Sequence, residues 1–131
     1  MITQIITNSY KLELLKGNHR LDDNYMIALY SEFGVLNKNT PTYLETMEVK
    51  GDGYIAGGKL LIGASVKLDG DSAYLSWNNV VWENSTITAR GALIYNQFSK
   101  GSVCILDFGE DKFSVNGKFE IEIPEGVISI L

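Results

Sequence analysis

The chain has 131 residues, 45% of them hydrophobic and 21% charged, with a formal net charge of −5. That is the composition of an ordinary globular protein with room for one core, and its acidic balance argues against a phosphate-neutralising nucleic-acid surface. The single cysteine, Cys104, excludes an intrachain disulfide, and no apolar run approaches the ~20 residues of a membrane helix. Without an N-terminal basic-plus-apolar signal, the sequence reads as one made and folded in a reducing cytoplasm.

Taken in chain order, the first predicted element is a short helix near residues 9–17. Asn8 or Ser9 can cap it, Gly17 can supply a left-handed terminus, and Ile6, Leu12 and Leu15 form a small apolar stripe. The apolar run Asn24–Ser31, "NYMIALYS", predicts a strand buried on both faces. A long loop is expected near residues 32–58, rich in Gly, Asn and Pro in its first half. Lys59–Leu68 reads as one strand bent at Gly63. Asp69-Gly70-Asp71 is a tight-turn signal joining it to Ser72–Trp77 in a hairpin.

Further on, Val80–Trp82 ends at the turn-like Glu83-Asn84. Ser85–Asn96 is strand-like on both sides of Arg90-Gly91, and Ser102–Phe108 follows. Lys118–Ile123 alternates cleanly, with Phe119, Ile121 and Ile123 on one face and Lys118, Glu120 and Glu122 on the other. Pro124 stops that strand, and Val127–Leu131 makes a last one. These elements predict a mainly β, single-domain chain spanning residues 1–131: a β-sandwich or jelly-roll-like barrel with one short N-terminal helix.

The stretch Gly53–Lys59, "GYIAGGK", fits the front of a phosphate-binding loop, and "VCILD" (Val103–Asp107) imitates a strand ending in a magnesium-holding Asp. Three features oppose that reading. The position after Lys59 is Leu60 rather than Ser or Thr, no apolar strand precedes the loop, and no helical stripe follows it. The glycines are better read as a compact turn launching a central strand, with Tyr54 anchoring the turn on the core.

Catalytic constellations are weak. His19 is the only histidine, Cys104 lies in an apolar run, and no nucleophile elbow surrounds any serine. Asp22-Asp23, Asp69/Asp71 and Glu110-Asp111 all fall at turns, where Asp supports the backbone by itself. No cofactor and no metal are expected. Tyr54, Tyr74, Trp77, Trp82, Arg90 and Tyr95 are the candidate interface residues. Aromatic side chains on a sheet can stack on sugars or anchor a partner, although core packing is the default for Trp77 and Trp82. Arg90 in an apolar strand fits a buried pair or an interface.

Several motifs then occur in order: Gly53-Tyr54-Ile55-Ala56-Gly57-Gly58, Leu61-Ile62-Gly63, the Asp69–Asp71 hairpin, Val80-Val81-Trp82, Thr88-Ala89-Arg90-Gly91-Ala92, Ile94-Tyr95-Asn96 and Leu106–Gly109. In this order they resemble a family of small tailed-bacteriophage virion structural proteins. The resemblance implies a non-enzymatic assembly part located in the virion: a head auxiliary or decoration protein, a head-fibre-associated protein, or a neck or tail component. Its implied partners are major capsid, head-fibre or connector proteins and further copies of itself, with no nucleic acid and no membrane. It carries over no functional residue. A carbohydrate- or receptor-binding β-module using the Trp and Tyr side chains is the alternative from a different class.

Overall fold

In the computed structural model, which describes residues 1–130, two antiparallel sheets pack about a shared core. The strands are β1 (Ile5–Ile6), β2 (Tyr25–Tyr30), β3 (Lys59–Leu60), β4 (Ser65–Asp69), β5 (Ser72–Ser76), β6 (Val80–Asn96), β7 (Ser102–Ile121) and β8 (Ile128–Ile130), with one helix, α1 (Asn8–Leu15), between β1 and β2. The larger sheet runs β1-β7-β6-β2-β3 and the smaller runs β4-β5-β8. The chain is thus mainly β, as expected, in two separate sheets.

β2 shows why its sequence lacks alternation. Tyr25, Ile27 and Leu29 enter the core between the sheets, while Ala28 and Tyr30 enter a second cluster on the opposite face with Ile2, Leu36, Leu93, Tyr95 and Ile105. The long loop covers that second face through Leu36, Tyr43 and Leu44, and the Tyr30 hydroxyl donates to the Leu44 carbonyl at 2.6 Å. A strand with apolar neighbours on both sides keeps apolar residues at every position.

The helix differs in detail from expectation. Thr7, fully buried, is its N-cap and its side chain accepts from the Tyr10 N–H, while Gly17 takes the expected positive φ of 76°. Tyr10 and Leu14, spaced i and i+4, face the core. Leu12 and Leu15, assigned to the inward stripe from sequence, are exposed. Thr7 also bonds the Ser102 hydroxyl at 2.8 Å, and Ser102 in turn donates to the Thr40 carbonyl at 2.6 Å. This buried polar chain ties the helix start to β7 and the long loop.

Three boundaries are corrected. Lys59–Leu68 is two strands in different sheets: Gly63 (φ 76°) turns the chain between them, where a Cβ would collide with the Asn78 side chain at 2.5 Å. Val80–Trp82 and Ser85–Asn96 join into one 17-residue strand, because Asn84 (φ 48°) forms a bulge rather than a chain reversal. Ser102–Phe108 and the start of Lys118–Ile123 likewise belong to one 20-residue strand. The Phe119/Ile121/Ile123 face is buried as the alternation predicted. Val127–Leu131 forms a strand at Ile128–Ile130 paired to β5; Leu131 lies outside the described residues.

Candidate interaction surface

The glycine loop is closed on an internal anion. Glu48 lies beneath it, accepting the Gly57 N–H at 2.9 Å, the Tyr43 hydroxyl at 2.5 Å and the Tyr54 hydroxyl. The Tyr54 oxygen also accepts the Leu29 N–H at 3.0 Å, so the tyrosine anchors the loop to β2 as expected. Gly57 returns its carbonyl to the Tyr95 hydroxyl at 2.6 Å. Lys59 donates to the Val81 carbonyl and sits over the Trp82 ring. The carboxylate thus takes the amide that a phosphate loop would offer to a ligand, and the lysine is spent on the neighbouring strand. A calorimetric titration with ATP and magnesium is expected to give no binding heat.

Burial dominates the titration of this cluster. It pushes Tyr95 up to about 12, assisted by the Glu48 charge, and raises Tyr30, Tyr43 and Tyr54 further, with Glu48 hydrogen bonds adding to the shift for Tyr43 and Tyr54. Since the folded values lie above the unfolded value of 10, the stabilisation is complete below pH 10 and is lost as pH rises toward and beyond 12. Alkaline titration followed by tyrosinate absorbance and circular dichroism is expected to show late tyrosine ionisation coinciding with unfolding. Ionisation of all seven tyrosines near pH 10 with the fold intact would contradict the arrangement.

The six candidate interface residues separate into core and surface. Trp77, Trp82 and Tyr95 are buried and therefore form no stacking platform. Trp82 lies between Tyr54 and Phe119, with ring centroids 6.1 and 6.0 Å away, and Tyr95 stacks on Tyr43 at 4.8 Å. The reason is the amount of apolar area each ring removes from water in a core of this size. Trp82→Ala is expected to lower stability by about 3–5 kcal/mol, read from denaturant unfolding. Tyr54 is half-buried in the Glu48 cluster. Tyr74 is half-buried too, and Gly126 packs so closely that a Cβ there would lie 3.0 Å from the ring.

Arg90 is partly exposed and paired on both sides, its Nε to Asp111 at 3.0 Å and its Nη2 to Glu32 at 3.4 Å. It sits at a second bulge. Opposite Arg90 alone, β7 carries the four residues Phe108 to Asp111, bent by Gly109 at φ 79°. The bulge brings Asp111 within reach, so Arg90 serves the β6–β7 ribbon. Being partly solvated, the pair contributes about 0–1 kcal/mol.

An unpartnered apolar face lies elsewhere. Strand register places Val66, Leu75 and Ile128 in one row of the small sheet, and Leu68, Ala73 and Ile130 in the next. All six share a face. Leu75 and Ile128 pack on the core, yet Val66 is 59%, Leu68 75% and Ile130 52% exposed. This face borders an apolar groove whose floor is Tyr10, Leu14 and Ile128, with Leu15 (90% exposed) and Leu21 on its walls. Among the described residues lining the groove, the charged ones are Lys11 and Arg20. Sequence reasoning missed this surface. The alternation in "SVKLD" marks one apolar face of β4, but nothing in the sequence says that face lacks a cover.

His19 also lines the groove, its ring packed near Tyr10 and Tyr25 and its Nε2 3.1 Å from Glu13. It is a buried residue holding the segment after α1. Cys104 is buried in the core, and burial pushes its thiol up to about 12, which makes it an inert packing residue at neutral pH.

Comparison with protein-family models, with curated proteins and with solved structures returned no match.

Proposed function

We propose that the chain is a non-enzymatic structural component of a tailed-phage virion, a head auxiliary, decoration or head-fibre-associated protein that works through surface contacts with other virion proteins. The observation that carries this reading is the exposed apolar face formed by the small sheet, Leu15 and Leu21, a contiguous surface rather than single scattered leucines. The order of motifs that resembles a family of phage virion structural proteins supports it. Residues of those motifs build the Glu48-closed loop, the small-sheet hairpin and the β6–β7 ribbon. Such a part gains affinity from many repeated weak contacts across a symmetric particle. The burial of Trp77 and Trp82 removes the platform on which a carbohydrate-binding reading would rest.

Leu15→Glu tests the proposal, because Leu15 is almost fully exposed and its replacement leaves the core intact. Melting temperature is expected to stay within ~2 °C of the parent, since surface changes of this kind alter stability by about 0.5 kcal/mol or less. The fraction co-sedimenting with phage particles is expected to fall at least ten-fold. Unchanged particle binding by Leu15→Glu and by a Leu21→Glu partner variant would sink the proposal.

A further inference from the structure

We infer that two copies of this chain pair through their β4 strands, antiparallel about a two-fold axis, extending each three-stranded sheet into one of six strands. The inference deepens the reading of the chain as an assembly subunit and rests on it, but its test concerns the purified protein alone.

Three observations point to a second copy as the occupant. First, β4 is an edge strand with every one of its five residues exposed, including Val66 and Leu68. Edge strands of monomers are usually shortened, bulged or covered, because their free N–H and C=O groups recruit another strand. This one is regular along its whole length, pairing residue for residue with β5 from Ser65↔Ser76 to Asp69↔Ser72.

Second, the sequence of β4 is self-complementary in one antiparallel register. Residues paired across an antiparallel ladder share a face, so a two-fold axis must pass through a residue of β4. With the axis at Leu68, Leu68 meets Leu68 of the second copy, and each Lys67 meets Asp69 of the other. That gives two opposite-charge cross-strand pairs flanking an apolar pair. With the axis at Lys67, two lysines would stand opposite each other, which is unfavourable. With the axis at Val66, Lys67 would meet Ser65 and the charges would go unused. Only the Leu68 register matches both charge and apolarity.

Third, the apolar rows are continuous with that axis. Leu68 lies in the row of Ala73 and Ile130, and Val66 in the row of Leu75 and Ile128. Joining two sheets at β4 therefore merges two exposed apolar faces into one. Lys67 already contacts Glu125 and lies over the Tyr74 ring, 5.8 Å from its centroid, on the other face. Within one chain its ammonium is thus held over β5 and beside Glu125, and Asp69 of the second copy would add a partner from the edge side.

The test is cross-linking of the full chain in solution. Leu68→Cys, in the presence of a mild oxidant, is expected to give a disulfide-linked species of twice the 14.5 kDa chain mass, since facing residues in an antiparallel pair lie within disulfide reach. Val66→Cys is expected to cross-link at least ten-fold more slowly. The native Cys104 is buried and does not compete. In analytical ultracentrifugation, Lys67→Glu and Asp69→Lys are each expected to weaken dimerisation at least ten-fold, and the double exchange to restore it. A parent protein that stays monomeric at millimolar concentration would overturn the pairing, as would faster cross-linking at position 66. If Leu68→Cys cross-links while the chain is absent from particles, the pairing stands and the virion reading falls.

Discussion

Gly58→Ala is expected to destabilise the fold by about 4 kcal/mol, enough to reduce soluble yield and lower the melting temperature by ~10 °C or more. Two independent costs combine. Gly58 has a φ of 86°, a region that L-residues with a Cβ rarely adopt. A Cβ there would also stand 1.8 Å from the Ile27 carbonyl oxygen and 2.8 Å from the Ala28 Cα, both backbone atoms of β2 that no rotamer can move. The site is the point where the glycine loop crosses onto β2 before β3 pairs with it at Ile27↔Lys59. Gly70→Ala is the control. Its φ is 61°, yet nothing lies within 4 Å of an added Cβ, so only the backbone strain of about 1 kcal/mol is expected. Equal losses at the two positions, compared by chemical denaturation, would show that the close approach at Gly58 is not what makes glycine necessary.

Glu48→Ala is expected to cost about 3 kcal/mol, because it strips the Gly57 N–H and the Tyr43 and Tyr54 hydroxyls of their common acceptor in a half-buried site. Glu48→Gln keeps an acceptor oxygen and should recover roughly half of that loss. Intrinsic fluorescence should report the same event, since Tyr54 stacks on Trp82 and the loop would loosen over that ring. A Glu48→Ala protein as stable as the parent would mean that the loop is held by its backbone alone.

Local chemistry was legible in the sequence where one residue type has one physical use. The Asp69–Asp71 turn produced its hairpin, Gly17 ended the helix with a positive φ, and the Phe119/Ile121/Ile123 alternation predicted its buried face. Tyr54 as the loop's anchor followed from an aromatic amid glycines. What escaped was set by partners distant in sequence. Glu48 reads as one more surface carboxylate until the fold brings Tyr43, Tyr54 and Gly57 around it. Asn84 looked like a turn because a positive φ serves a bulge as readily as a reversal. Leu12 and Leu15 looked like an inward stripe, whereas the core selected Tyr10 and Leu14 one face round. Exposure of β4 was invisible for the same reason, since alternation identifies an apolar face without revealing whether anything covers it.

The proposal that this chain is a surface-acting part of a phage particle is tested most directly by protein mass spectrometry of gradient-purified particles. The account predicts that the chain bands with the major capsid protein in a fixed copy ratio that survives a high-salt wash, as an apolar contact should. Its absence from particles, with the whole pool left at the top of the gradient, would contradict it.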